Sequence, residues 1–311
     1  MASAEHSRRD LRLMHQAAQL YYLDELGQAR IAERLSVSRP TVSRLLADAR
    51  RLGIVRITVH DPGAVAVAAH PERVAEVLGL KQVWLAPFGN GEIATLAEPV
   101  GSALRASGPT PGDVLLVSSG RTVYELSRSV LPALPGVNLV PMVGGVAEPE
   151  PWHQTNEIVR SLAERVGARP HFLFAQAMPS KAMRATLDED PEFRRVTDLW
   201  QRATVALLGV GAPPTSRSSI STSIPMEAAG LQTAVGDICL NFFDQLGGEA
   251  VFPGSDRMVR ISTDQLRAIP STIAVAVGAN KVGSIIAGAR AGLFNRLVTD
   301  IHTAELILAT V

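Results

Sequence analysis

Apolar residues recur at helical spacing along the first fifty residues of the chain. Segment 10–26 has this spacing and predicts a helix that ends at Gly27. A second helix is predicted from about Gln28 to Leu35, and a polar turn follows it. A third helix starts after Ser38 and ends at Gly53, since glycine commonly follows the last turn of a helix. The run 54–59 then alternates apolar and polar residues, which indicates a strand that could form a wing beside the third helix.

From about residue 70 the pattern changes to short apolar strands that alternate with helices. The predicted strands are Val83–Leu85, Val114–Ser118, Leu139–Val143, His171–Phe174, Thr204–Gly209, Ser271–Val277 and Arg296–Thr299. The helices predicted between them include Thr155–Val166, Val282–Ala291 and Ile301–Leu308. This alternation predicts an α/β fold with a parallel, helix-covered sheet.

The turn Asp61–Gly63 is the predicted boundary between two domains. We therefore predict a head at 1–60, a linker at 61–69, and a larger body at 70–311. Charge supports this division, because the head carries ten arginines and six acidic residues, a net charge of +4, although the whole chain is neutral. A basic head on an acidic body suits a head that meets phosphate.

Composition limits the environment and the chemistry. The chain has one cysteine, Cys239, so no internal disulfide can form, which fits a reducing cytoplasm. The chain has no run of 18 apolar residues, so no membrane span is predicted. Its first ten residues are polar and charged, without the apolar core of a signal peptide. The seven histidines have no metal-ligand spacing, so we predict neither a metal nor a cofactor.

The second and third helices fit a helix-turn-helix motif. Ala32 is the small residue needed where the helices cross, and Ser36 stands in the turn where glycine is most usual. Val37, Val42 and Leu45 would fix the third helix to the second. The predicted DNA-contacting face consists of Ser38, Arg39, Pro40, Thr41, Ser43 and Arg44. The alternative is a helix pair whose arginine face only contacts solvent.

The segment 114–126 predicts a strand, a small polar loop and a helix, an arrangement that can bind an anion. Ser119 and Thr122 would donate hydroxyl groups, Gly120 would let the backbone approach, and Arg121 would balance a phosphate charge. The alternative is that the serines only cap the helix.

Other glycine-rich loops follow predicted strands, namely Gly144–Gly145, 209–213 and 278–281. Ligands of open parallel sheets bind outside the carboxyl ends of the strands, so these loops are expected to meet in one crevice. Lys281 could pair with a phosphate or a sugar oxygen there, or it could be an ordinary surface lysine.

The run from Gln28 to Pro62 resembles the head of the SorC family of sugar-responsive regulators, which is also described as DeoR-like. The resemblance continues into the body, through Ser119–Thr122, Gly144–Gly145, Asn156, 235–244 and 278–282. It implies an effector domain related in fold to sugar-phosphate isomerases, effectors that are usually phosphorylated sugars, and tetramers. Carried over by position, the resemblance implies that Gly120 and Thr122 hold an anionic end, Asp237 accepts hydroxyl hydrogens, and Lys281 opposes charge.

Two positions depart from the family pattern. Ser119 stands where the family often has an aromatic residue, and Leu240–Asn241 stand where a glycine and an arginine are common. The missing arginine favours a neutral sugar, a polyol or a singly phosphorylated sugar over a bisphosphate.

We therefore predict a DNA-binding transcriptional regulator of carbohydrate metabolism that forms a homo-oligomer, either a dimer or a tetramer. Its partners would be operator DNA and a small sugar, polyol or sugar-phosphate effector, with no membrane partner. The alternative is an isomerase- or deaminase-like enzyme fused to a DNA-binding head. Asp237 and Asp244 have no histidine near them, and no nucleophile elbow is present, so we predict no enzymatic activity. A DNA-organising protein without a ligand would not need so large a body.

Overall fold

The computed structural model divides the chain into two units, Met1–Ala64 and Val65–Val311. It describes residues 2–22, 24, 26–55, 70–86, 93–216 and 224–311, and the side chains of 2–10 and 94 are outside that description. The predicted linker 61–69 and most of the predicted strand 54–59 lie outside the described residues. Each unit is therefore described by itself.

The described residues of the N-terminal unit form three helices, α1 (Ala2–Tyr22), α2 (Gln28–Leu35) and α3 (Arg39–Arg51). Their inward faces meet in a small core, as the helical spacing predicts. The buried residues are Ala17, Ala18, Ile31, Val42, Leu45, Leu46 and Ala49. The prediction that the first helix reaches residue 26 is wrong. The Leu26 N–H turns back to the Leu20 carbonyl at 2.9 Å, and Gly27 instead begins α2 with an extended backbone.

The turn between α2 and α3 explains why glycine is usual at its first position. Ser36 has a φ of 53°, in the left-handed region. The Val37 N–H returns to the Ala32 carbonyl at 3.0 Å, which closes the end of α2. A side chain in this conformation costs roughly 1 kcal/mol, so Ser36 is a local strain in an otherwise regular motif.

Ser36→Gly is expected to stabilise the N-terminal unit by about 0.5–1 kcal/mol, because glycine adopts positive φ without a Cβ penalty. Ser43→Gly is the matched control, since Ser43 is exposed inside α3 and glycine there costs up to about 1 kcal/mol. Urea unfolding followed by circular dichroism measures both. Equal effects of the two variants would contradict the role given to the turn.

The second unit contains a parallel sheet with the strand order β1-β9-β8-β5-β2-β3-β4. Its strands are β1 (Gln82–Ala86), β2 (Val114–Val117), β3 (Asn138–Pro141), β4 (Arg169–Pro170), β5 (Ala203–Gly209), β8 (Ser271–Val275) and β9 (Arg296–Asp300). A short antiparallel hairpin is separate from this sheet and pairs β6 (Gly236–Ile238) with β7 (Asn241–Phe243). The predicted α/β fold is confirmed.

Helices cover both faces of the sheet, so the central strand β2 is apolar and buried at every position. Val114 and Leu116 of β2 join one core, and Leu115 and Val117 join the other. The helices are α4 (Pro71–Leu78), α5 (Ala97–Ser107), α6 (Arg121–Ser127), α7 (Thr155–Val166), α8 (Lys181–Glu189), α9 (Pro191–Thr197), α10 (Ala229–Gln232), α11 (Thr263–Ala268), α12 (Val282–Arg290) and α13 (Ile301–Thr310).

The predicted strand His171–Phe174 is wrong. The strand at this position is β4, which has two residues and pairs with β3 at the edge of the sheet. Pro170 has no N–H to extend the ladder. The chain then bends toward α7, where the Asn156 side chain binds the backbone of Leu173.

Candidate functional site

The outer face of α3 carries the side chains predicted to contact DNA. Ser38, Arg39, Pro40, Ser43 and Arg44 are exposed, and Thr41 is half-buried. Ser38 also has a structural role, because its Oγ accepts the Thr41 N–H at 3.2 Å and lies 2.7 Å from the Thr41 hydroxyl. Serine is a preferred cap at this position, and Pro40 lies in the first turn, where its missing N–H costs nothing.

The arginines of α3 differ in what they contact. Arg51 pairs with Asp48 at 3.0 Å, which fixes it on the helix surface. Among the described residues, the guanidinium groups of Arg39 and Arg44 have neither an ion pair nor a hydrogen bond, and both side chains are exposed. Two unpaired cations on one exposed helix face can bind phosphates or guanine edges.

Four neighbouring strands of the sheet end beside the loops predicted to bind the effector. β8, β5, β2 and β3 are adjacent in the strand order, and all run in the same direction. The loops that follow them contain Gly278–Lys281, Gly209–Pro213, Ser118–Thr122 and Met142–Gly145, respectively. The topology therefore brings these loops to one edge of the sheet.

Within the loop after β2, Ser118 fixes the backbone, while the hydroxyls of Ser119 and Thr122 are available to a ligand. The buried Ser118 hydroxyl donates to the Ser119 carbonyl at 2.9 Å and accepts the Gly209 N–H at 3.0 Å, which ties this loop to β5. Thr122 is 7% exposed at the first turn of α6. Within the described part of the chain, the hydroxyls of Ser119 and Thr122 make no hydrogen bond to protein.

Trp152 closes one side of this loop, and sequence patterns gave no sign of it. Its carbonyl accepts the Gly120 N–H at 2.9 Å, so the backbone donor expected to face an anion is already occupied. The Arg121 guanidinium lies 4.7 Å from the centre of the Trp152 ring, a cation–π distance. Gly120 has a φ of 113°, which explains why this position needs glycine.

The two glycines after β3 have different surroundings. A Cβ on Gly144 would lie 2.7 Å from the Ala175 carbonyl oxygen and 2.8 Å from the Ala177 nitrogen. A Cβ on Gly145 would lie 3.9 Å from its nearest neighbour, the Ala175 carbonyl oxygen. Gly144 is thus required for backbone packing, and only Gly145 has room beside it.

Gly144→Ala is expected to destabilise the second unit by about 2 kcal/mol, because the methyl group would meet backbone atoms that cannot rotate away. Gly145→Ala is the control with the same change in composition and an expected effect below about 1 kcal/mol. Thermal unfolding monitored by circular dichroism compares the two. A larger loss for Gly145→Ala would show that the packing argument is wrong.

Asn156 and Asp237 both make internal hydrogen bonds. The Asn156 amide donates to the Leu173 carbonyl at 3.2 Å and accepts the Leu173 N–H at 2.9 Å, so it positions the loop after β4. Asp237 is 7% exposed and accepts the Leu240 N–H at 2.9 Å. Its own carbonyl binds the Gly211 N–H at 2.9 Å, which places it next to the loop after β5.

The hairpin turn that Asp237 supports contains two residues with positive φ, Cys239 at 51° and Leu240 at 61°. A two-residue turn with this backbone favours glycine or asparagine, so both side chains are accommodated at a cost. The Cys239 thiol is buried, and burial raises its pKa well above the ordinary value. A protonated, buried thiol is typical of a core residue.

Lys281 lies in the loop between β8 and α12, half-buried. Gly278 lies in this loop with a φ of 109°, and its N–H donates to the Thr303 hydroxyl at 2.8 Å. The described residues contain no group of three or more histidine, cysteine or acidic side chains suited to a metal. No helix in the described residues is long and apolar enough to span a membrane.

Residues 70–309, which include this edge of the sheet, match the family model Sugar-bind, described as "Putative sugar-binding domain". The chain belongs to this sugar-binding family. The match spans the loops after all four central strands.

The similarity to known proteins extends over the N-terminal unit as well. The sorbitol operon regulator of Klebsiella pneumoniae is 29% identical over 96% of the chain and 98% of its own length. The deoxyribonucleoside regulator of Bacillus subtilis is 29% identical over 94% of the chain and 96% of its own length. The crystal structure of full-length SorC from Klebsiella pneumoniae matches with a TM-score of 0.69 and 28% identity, over 96% of this chain and 99% of that one.

These comparisons confirm the resemblance to the SorC family that the sequence motifs indicate. The relatives are named as transcriptional regulators, which supports a regulator over the enzyme alternative. The roles of individual side chains remain predictions.

Proposed function

We propose that the chain is a sequence-specific transcriptional regulator of carbohydrate metabolism, controlled by a sugar, polyol or sugar-phosphate effector. The observation that carries this proposal is the similarity to regulators of sugar operons along the whole chain, including both the head and the sugar-binding body. A sugar-binding body of this family, taken alone, would not distinguish a regulator from an enzyme. Arg39 and Arg44 of the head are exposed and have no ion pair within the described residues, which favours DNA binding.

In the head, α3 is the proposed recognition helix. Arg39 and Arg44 would bind guanine edges or phosphates, since both are exposed and unpaired within the described residues. Ser43 would contact the backbone, while Ser38 and Thr41 keep the start of the helix capped and offer short polar contacts. Pro40 shapes the first turn.

In the body, the loop after β2 is the proposed anion-binding end of the effector site. The hydroxyls of Ser119 and Thr122 have no protein partner within the described residues, and the Arg121 cation is nearby. Gly145 offers space beside the next loop, and Lys281 adds a positive charge after β8. Asp237 would accept hydrogen bonds from sugar hydroxyls. Gly120, Gly144 and Asn156 would act by shaping these loops.

We propose that the protein acts as a homo-oligomer, a dimer or tetramer, in the cytoplasm. A single three-helix head offers few base contacts, whereas two heads on adjacent half-sites roughly double the contact energy. Effector binding at the strand ends would change how the bodies pair and so change the spacing of the heads. A coupling of about 1–3 kcal/mol between the two sites is enough for a useful switch.

Fluorescence anisotropy with the purified protein and DNA from upstream of its own gene tests this function. Titrations at two salt concentrations, with unrelated DNA as a control, are repeated with sugars, polyols and sugar phosphates. The proposal expects sequence-specific, salt-dependent binding that one compound class shifts. Equal affinity for both DNAs would contradict specific recognition. Specific binding that no compound changes would contradict the effector role.

A further inference from the structure

Arg260 is a buried cation that sequence patterns did not single out. Its side chain is 7% exposed, although arginine is rarely this buried without partners. One guanidinium nitrogen, Nη1, donates to the Leu240 carbonyl. The other, Nη2, lies 3.1 Å from Glu249 Oε1, and the Glu249 side chain is 46% exposed. The cation is therefore neutralised by a carboxylate that itself faces solvent.

The backbone of Arg260 lies beside the proposed effector site. Arg260 forms an antiparallel bridge with Val143, and the neighbouring Val259 carbonyl accepts the Gly144 N–H at 2.9 Å. Its guanidinium reaches the hairpin turn at Leu240, whose N–H binds the Asp237 carboxylate. Arg260 thus connects the loop after β3 with the hairpin that contains Asp237.

The charges around Asp237 and Arg260 do not favour binding of a second phosphate group of an effector. Arg260 contributes one positive charge, while Glu249 and Asp237 contribute two negative charges. Both carboxylates stabilise the charged guanidinium, against the burial that lowers its pKa. A phosphate group carries close to two negative charges at neutral pH, so it would meet a net negative cluster. Sugar hydroxyls can instead donate to carboxylates and accept from a guanidinium.

We propose that the Glu249–Arg260 pair sets the charge selectivity of the effector site. Because Glu249 neutralises Arg260, the Asp237 end accepts an uncharged, hydroxyl-bearing part of a sugar or polyol and rejects a second phosphate. The effector then carries its anionic group only at the Ser119–Thr122 end. This inference rests on the proposed function and narrows its effector class.

The pair also has a simpler structural role, since Arg260 holds the strained turn at Leu240. The two roles can be separated. Glu249→Gln preserves the shape of the side chain and the bond from Arg260 to the Leu240 carbonyl, but it removes the neutralising charge. Asp264→Asn is the matched control, because Asp264 forms an ion pair of similar length, 3.0 Å, with Arg267 and lies near Ala203, where β5 begins.

Isothermal titration calorimetry on the full chain tests the proposal with matched probes. The pairs are fructose 6-phosphate with fructose 1,6-bisphosphate, glucose 6-phosphate with glucose 1,6-bisphosphate, and ribose 5-phosphate with ribose 1,5-bisphosphate. In the unsubstituted protein, no bisphosphate is expected to bind more tightly than its monophosphate. In Glu249→Gln, the affinity ratio of bisphosphate to monophosphate should rise roughly tenfold for at least one pair. Asp264→Asn should keep the original ratio.

The double variant Glu249→Gln/Arg260→Gln should lose the gain, because no cation remains to attract the second phosphate. If it fails to fold, the single Glu249→Gln variant still decides the question. The inference would be overturned if a bisphosphate binds the unsubstituted protein more tightly than its monophosphate. It would also be overturned if the affinity ratio of bisphosphate to monophosphate is unchanged in Glu249→Gln for every pair, or if no probe binds at all. If a monophosphate still shifts DNA affinity in that case, the proposed function stands without the charge selectivity. If no sugar, polyol or sugar phosphate shifts it, the effector role itself fails.

Discussion

Arg44→Ala is expected to lower the affinity for operator DNA about a hundredfold while leaving effector binding unchanged. Arg44 is exposed in the middle of α3 and has no ion pair within the described residues, so its charge is available to DNA. Losing one good guanidinium contact costs roughly 1–3 kcal/mol, and the proposed homo-oligomer would lose one in each bound head. Fluorescence anisotropy on specific and unrelated DNA measures the loss.

The pattern of the loss identifies the kind of contact. If Arg44 binds a base edge, specific DNA should lose more affinity than unrelated DNA. If it binds phosphate, both should weaken and the salt slope should fall by about one. Arg73→Ala is the control, since Arg73 is an exposed helical arginine in the body. Normal DNA binding by Arg44→Ala would mean that α3 is not the recognition helix.

Thr122→Ala is expected to abolish the response at effector concentrations that give a half-maximal response in the unsubstituted protein, and to leave basal DNA binding intact. The Thr122 hydroxyl is nearly buried at the strand-end loop and makes no hydrogen bond to protein within the described residues. A hydrogen bond to a charged group contributes about 1.5–3 kcal/mol, so its loss should weaken effector binding roughly 10- to 100-fold. Anisotropy titrations with the active compound measure the response.

Thr122→Ser separates the hydroxyl from the packing of the methyl group. The serine variant should recover most of the response, because it restores the donor at the same position. Thr186→Ala, in an exposed part of α8, should behave like the unsubstituted protein. A full response from Thr122→Ala would place the anionic end of the effector elsewhere.

The sequence predicted those parts of the fold in which local pattern and packing agree. The bounds of α2 and α7 match their predictions, because each has a regular apolar face and a residue in the left-handed conformation at its end, Ser36 and Gly167. The strand β2 was recognised as a continuous apolar run, since helices cover both of its faces. The strand predicted at His171–Phe174 failed because an apolar run does not show that Asn156 holds Leu173 in a bend.

The sequence predicts only part of the candidate effector site. Glycines and hydroxyls after apolar strands predict loops that meet at one edge of the sheet, and the topology brings these loops together there. Trp152 and Arg260 were missed, since each reaches its partner across about 20 or more residues of chain and neither lies in a recognisable motif. The sequence predicts Gly144 as part of the effector site, and the structure adds a packing role, because backbone atoms of 175–177 lie close to it.

The short edge strand β4 has a consequence for self-association. An exposed sheet edge normally offers a row of free N–H and C=O groups that can template aggregation with another chain. Here the edge is two residues long, and Pro170 contributes no donor to it. Strand addition at this edge is therefore suppressed, and this side of the sheet is protected from open-ended pairing with other chains.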